Sequence, residues 1–232
     1  MTNPIRKAPP PPGIGIPFPI HDAVAALRCE TARFCVPIVT IISREGRNPF
    51  HVLISTLLSL RTKDACTAAA SERLFRRASD PRAMAALSEK DLARIIYPVG
   101  FYNTKAVRIH AVCRILLETY GGHVPTDMDA LLALPGVGRK TANLVLTLGF
   151  GLPGICVDTH VHRITNRWGY VKTRNPEETE FALRKILPPE YWIEINDLLV
   201  TWGQNVCAPV SPRCSSCVLA KLCARIGVLR SR

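Results

Sequence analysis

Leu134-Pro135-Gly136-Val137-Gly138-Arg139-Lys140-Thr141-Ala142 lies between two helical patterns. Its two glycines permit a tight turn in which backbone amides can approach a bound anion closely. The helix that opens after the turn adds the positive end of its dipole. Gly136, Val137, Gly138 and Arg139 therefore read as a backbone cradle for a phosphate, built from two helices and a hairpin. The stretch is not a P-loop, which places four residues between its first glycine and the Gly-Lys pair; here a single residue separates Gly136 from Gly138.

Outward from the hairpin, the pattern stays helical from residue 20 onward. Start signals recur: Asp80-Pro81, the capping-box pattern of Ser88 with Asp91, and Asn175-Pro176. Glycines at Gly100, Gly121-Gly122, Gly149, Gly151 and Gly169 stand where helices should stop. The spacing predicts helices near 22–35, 49–60, 63–78, 82–87, 89–97, 103–119, 127–133, 139–149, 158–168, 176–186 and 189–206. Val36-Pro37-Ile38-Val39-Thr40-Ile41-Ile42 reads locally as a strand, but no second strand is available to pair with it. The expected fold class is all-α.

The chain has 232 residues and carries 30 Lys and Arg against 18 Asp and Glu, a formal charge of +12. The excess is present in each third of the sequence, so a folded basic surface rather than a tail is expected to meet a polyanion, most often nucleic acid. With 47% hydrophobic residues the chain is globular, neither disordered nor fibrous. No apolar run is long enough to span a bilayer, and no secretory signal opens the chain. Residues 1–19, rich in proline, read as an extended lead.

Four of the nine cysteines crowd together as Cys207, Cys214, Cys217 and Cys223, a C-x6-C-x2-C-x5-C spacing. Short irregular loops between four thiolates suit a soft metal centre. Chemistry alone leaves iron–sulfur and zinc open. Two disulfides fit less well, given the five further scattered cysteines and the missing signal.

This pattern, closing a helical chain, resembles the [4Fe-4S] loop of the endonuclease III family of DNA glycosylases. The resemblance covers nearly everything after residue 20 and selects iron–sulfur over zinc. It implies a two-lobed helix-hairpin-helix fold, with residues 46–154 in one lobe and residues 20–45 and 155–232 in the other, the latter bearing the cluster. Lys140 matches the family's nucleophilic lysine; beside Arg139, at a helix start and partly desolvated, it is expected as a neutral amine. Asp158, in Val157-Asp158-Thr159-His160, matches the catalytic aspartate and also reads as a helix N-cap. His160 and His162, two residues apart on a helix, point to different faces and are expected in packing rather than on a metal.

Two turns resemble the loops that fill the gap left by an extruded base. Phe101, in Gly100-Phe101-Tyr102-Asn103-Thr104-Lys105-Ala106, is one tip, with an ordinary core phenylalanine as the alternative. Arg61, in Leu57-Leu58-Ser59-Leu60-Arg61-Thr62-Lys63-Asp64, is the other, at a position where many relatives carry glutamine. Asp64 is expected to be structural. The implied activity is base excision of oxidised pyrimidines with cleavage 3′ to the abasic site by β-elimination. A monomer acting on double-stranded DNA in the cytoplasm or nucleoid is implied, with no membrane association. A mismatch thymine/uracil or adenine glycosylase, and a non-enzymatic DNA-binding iron–sulfur protein, are the alternatives.

Overall fold

Between Phe50 and Leu58 every side chain except His51 is buried. The segment is apolar around its whole circumference, and a helix without a polar face has to lie inside. Thr56 satisfies its hydroxyl on the Val52 carbonyl one turn back, at 2.7 Å, so its burial leaves no donor unmet.

The computed structural model describes residues 18–44, 46 and 48–232. They form twelve α-helices: α1 Ile20–Thr31, α2 Ile38–Arg44, α3 Pro49–Ser59, α4 Asp64–Arg77, α5 Pro81–Ala85, α6 Glu89–Ile96, α7 Tyr102–Tyr120, α8 Met128–Leu132, α9 Arg139–Leu144, α10 Thr159–Trp168, α11 Pro176–Ile186 and α12 Glu194–Asn205. A π-helical turn, Val145–Gly149, continues α9. No strand occurs among the described residues. The β-branched run at 36–42 is largely α2, packed on α3. With no partner strand its ladder groups would have stayed unpaired, and the helix pairs them internally.

The punctuation seen in the sequence is made of real caps. Asp80 accepts from the Ala83 amide at 2.9 Å, Ser88 from Asp91 at 3.1 Å and Asn175 from Glu178 at 2.8 Å. Each satisfies one of the amides that a helix start leaves open.

The chain divides into two compact units. One comprises residues 35–156 and 188–197 and contains the hairpin; the other comprises the described residues up to Phe34 together with 157–187 and 198–232. The expected division differs at three stretches, 35–45, 155–156 and 188–197, which side with the hairpin unit. Thr40 ties them together, its hydroxyl donating to Asp197 Oδ1 at 2.7 Å, while Asn196 Nδ2 donates to the Cys156 carbonyl at 3.2 Å. In this unit α3 packs against α2, α4, α7 and α9, and Leu74, Leu92, Ile96, Ile109 and Leu116 are fully buried.

In the second unit Ala23, Val24 and Leu27 of α1, Val161 and Ile164 of α10, and Leu183 of α11 are fully buried. Phe18 stacks on Trp168 with ring centroids 4.9 Å apart. The Pro-rich lead therefore ends in a packed aromatic; its first seventeen residues lie outside the described residues. Among the described residues no helix is long and apolar enough to cross a membrane.

Candidate active site

The hairpin is anchored by its apolar members. Leu134 and Val137 are buried, and the Val137 amide donates to the Leu134 carbonyl at 3.1 Å. Gly136 has φ +81°, a left-handed conformation, and an added Cβ would lie 3.0 Å from Arg108 Cδ. A side chain there is strained whatever the space. Gly138 is the N-cap of α9 and, having no side chain, cannot offer the first-turn amides an acceptor of its own. The hairpin thus turns exposed backbone, Gly136 and Gly138, and the positive end of α9 outward.

Arg139 and Lys140 are the first two residues of α9; Lys140 is exposed and Arg139 half-buried. The desolvation expected of Lys140 is not supplied by the chain alone. Behind it, the buried Cys156 directs its thiol at the Lys140 carbonyl, 3.7 Å away.

Asp158 stands at the start of α10 in the other unit. It is the N-cap, its Oδ1 accepting from the amides of His160 at 2.8 Å and Val161 at 3.0 Å. The carboxylate is buried, and the two amides meet its oxygen at the positive end of α10. His160 and His162 go to different partners. His160 Nδ1 lies 3.1 Å from Arg163 Nη2, and His162 Nδ1 lies 2.7 Å from the Thr179 hydroxyl. Burial lowers the His162 imidazole below its ordinary range, against the opposing pull of Glu178.

Downstream on α10, two arginines turn inward, and neither had been singled out from the sequence. Arg167 donates to the Ala208 and Pro209 carbonyls, each at 2.7 Å, and to Cys207 Sγ at 3.3 Å. Arg163 donates to the Cys207 carbonyl at 2.9 Å. Burial depresses the Arg163 guanidinium, while the neighbouring Cys207 thiol and Asp158 carboxylate act the other way. The available signal was their spacing: at i, i+4 they share one face of α10.

Cys207, Cys214, Cys217 and Cys223 line one pocket. None of the nine cysteines is in a disulfide. Among the described residues no three His, Cys, Asp or Glu side chains converge as they would around a single metal ion. Burial raises the Cys217 thiol, and raises that of Cys223 to about 11; the charges of neighbouring cysteines push both further in the same direction. The Arg225 amide donates to Cys223 Sγ at 3.4 Å.

The two expected wedge tips lie in the hairpin unit and meet. Arg61 and Phe101 both have left-handed backbone, φ 53° and 58°. Phe101 is 63% exposed, so it is not an ordinary core phenylalanine. The Arg61 guanidinium sits 5.7 Å from the centre of its ring. Asp64 does not cap α4, whose N-cap is Lys63; its carboxylate instead accepts from the Ile38 amide at the start of α2, at 3.4 Å.

Residues 54–189 match the HhH-GPD superfamily of base excision DNA repair proteins. The chain is 50% identical over 188 residues to Endonuclease III of Thermotoga maritima, covering 79% of this chain and 88% of that protein. Endonuclease III of Escherichia coli K12 is 43% identical over 176 residues, which cover 76% and 83%. A solved structure of a trapped endonuclease III–DNA covalent intermediate, an estranged-adenine complex, matches with a TM-score of 0.78 at 36% identity, over 88% of this chain and 93% of that one. The hairpin, the capped aspartate and these likenesses agree: the chain belongs to the HhH-GPD superfamily of base excision DNA repair proteins and, within it, to the endonuclease III family.

Proposed function

We propose that Lys140 and Asp158 carry the chemistry of this chain, a DNA glycosylase and AP lyase that removes oxidised pyrimidines from duplex DNA. The Lys140 amine attacks C1′ of the damaged nucleotide, and the bond to the base breaks with its electron pair leaving on the base. The amine proton passes to a carboxylate, the role of Asp158, whose charge also stabilises the cationic sugar as it forms. Asp158 returns that proton to O4′ as the C1′–O4′ bond opens, and the Schiff base so formed acidifies the C2′ hydrogen. Its loss expels the 3′ phosphate and cuts the strand. One observation supports this reading above the others: Lys140 stands exposed at the first turn of α9, directly after a hairpin whose backbone faces solvent.

Gly136, Val137, Gly138 and Arg139 hold the phosphate beside the lesion. Arg61 and Phe101 enter the space of the extruded nucleotide. Cys207, Cys214, Cys217 and Cys223 hold a [4Fe-4S] cluster. Their donor set supports this, since four soft thiols share one pocket into which Arg167 and the Arg225 amide direct hydrogen bonds at sulfur. The likeness of the C-x6-C-x2-C-x5-C spacing to the cluster loop of the endonuclease III family favours iron–sulfur over zinc. When bound, the cluster supplies a rigid anionic support with no open coordination position.

Borohydride trapping on lesion-containing duplexes tests the assignment. Wild-type protein should form a covalent adduct. Lys140→Gln should lose it by a thousandfold or more, on the order of what removing a nucleophile costs elsewhere, and should still bind the duplex through its many phosphate contacts. Undiminished trapping by the variant would exclude Lys140 as the nucleophile.

A further inference from the structure

Lys105 is a charged residue placed where an apolar one would be expected. It lies in the first turn of α7 and is only 6% exposed. All three of its donors are used, on the Leu58 carbonyl at 2.7 Å, the Leu60 carbonyl at 2.6 Å and the Thr62 hydroxyl at 3.0 Å. The two carbonyls belong to the end of α3, where the helix ladder no longer supplies partners. Thr62 Oγ1 in turn accepts from the Gly100 amide at 3.2 Å. The turn carrying Arg61 and the turn carrying Phe101 are therefore joined through one ammonium and one hydroxyl. They approach so closely that a Cβ on Gly100 would lie 2.7 Å from the Arg61 carbonyl oxygen.

We infer that Lys105 is the positioning residue for both wedge tips, holding Arg61 and Phe101 in their left-handed conformations before DNA arrives. This rests on the reading of those two residues as the wedge. Neither conformation is favoured by its own side chain, and the buried ammonium is the group that touches both sides of Arg61 along the chain. A pocket of about 460 Å³, lined by Leu57, Leu60, Arg61, Phe101, Lys105 and Arg108, opens beside the tips.

The clamp is sensitive to pH. The groups facing Lys105 are the Cys66 thiol of α4, Arg61 on the turn after α3, and Arg108 on α7 itself; no carboxylate lines the pocket. Burial pulls the ammonium down to about 8, with Cys66 opposing. Above that pH the neutral amine has two hydrogens for three acceptors, and one contact is lost. The sign for global stability is opposite. Between about 8 and the ordinary lysine value of 10.5 the unfolded chain binds more protons at this site, so its contribution to stability rises with pH. Loosening of the tips and general unfolding thus move in different directions.

The experiment uses full-length protein and a duplex with 2-aminopurine opposite a tetrahydrofuran abasic analogue, whose fluorescence reports insertion of the tips. With wild type the signal should fall as pH rises, with a midpoint at or above about 8. Lys105→Met should weaken it severalfold at pH 7 and remove the step. Base excision by this variant should drop about tenfold, since small misplacements are costly. Trapping at a preformed abasic site, which has no base to unstack, should fall less than about threefold. A flat wild-type profile, or a Lys105→Met profile equal to wild type, overturns the inference. Phe101→Ala separates the two layers. If it leaves the signal intact, the wedge reading fails and the inference with it; if it abolishes the signal while Lys105→Met and pH do nothing, the inference alone fails. Should Lys105→Met not fold, the wild-type pH series decides.

Discussion

The hairpin at 134–138 and the cysteine loop at 207–223 are both irregular backbone, and they are held by opposite means. The hairpin leans on apolar anchors, Leu134 and Val137, and on its own amides. In the cysteine loop only Pro212 and Leu219 are buried; its first stretch is stitched by the guanidiniums of Arg163 and Arg167 to three consecutive carbonyls. Inward-facing guanidiniums are costly without compensating anions. The thiolates of a bound cluster are such anions. The hairpin is anchored by protein contacts alone, whereas the loop, on the proposed reading, would be completed by a cluster held on its cysteines.

Arg167→Ala should break this contrast most visibly. It strips donors from the Ala208 and Pro209 carbonyls and should cost about 3 kcal/mol or more, the scale of leaving two partly buried acceptors unmet. Thermal unfolding would read this, and iron release on chelation should accelerate with it. A variant as stable and as iron-retentive as wild type would show that the loop does not depend on the arginine.

Asp158→Asn sharpens the comparison from the other end of α10. Asparagine caps as well as aspartate, so the unfolding midpoint should hardly move. Base release should slow about a hundredfold, because the lost charge acts in the transition state. Equal losses in binding and turnover would leave Asp158 only its cap.

Gly136→Ala tests the hairpin's self-sufficiency. Strain at a left-handed φ should cost roughly 1–2 kcal/mol and weaken DNA binding uniformly, while iron content stays at about four per chain. Loss of iron in this variant would mean that the two regions are not independently held.

The smallest effect belongs to Arg61→Gln. If Arg61 meets the orphan base, the ratio of activity opposite guanine and adenine should change by about 1 kcal/mol, one net hydrogen bond. If it meets only a phosphate, the loss should be uniform and the salt slope shallower by about one unit.

The sequence was most informative where local chemistry is self-contained. Asp80, Ser88, Asn175 and Asp158 announce their helices because a cap needs only its own next three residues. The hairpin was readable for the same reason. The run at 36–42 was ambiguous on its own because β-branched residues favour strands only where a partner exists, and α3, its actual neighbour, offers a helical face instead. Lys105 stood inside a stretch already singled out, yet its three acceptors lie more than forty residues away in the chain. Arg163 and Arg167 escaped notice likewise, since nothing local marks a cation as inward-facing.

The closeness of Gly100 to the Arg61 carbonyl bears on how such enzymes can be recombined. The two tips share a ceiling and a bolt, so neither is an exchangeable part. A chimera that imports a relative's 99–105 segment onto this 58–62 turn inherits a mismatched glycine contact, a missing lysine partner, or both. Swapping the two segments together, with their lysine, should preserve the joint. Changes in lesion preference at this corner of the molecule are then expected to be inherited in pairs rather than one residue at a time.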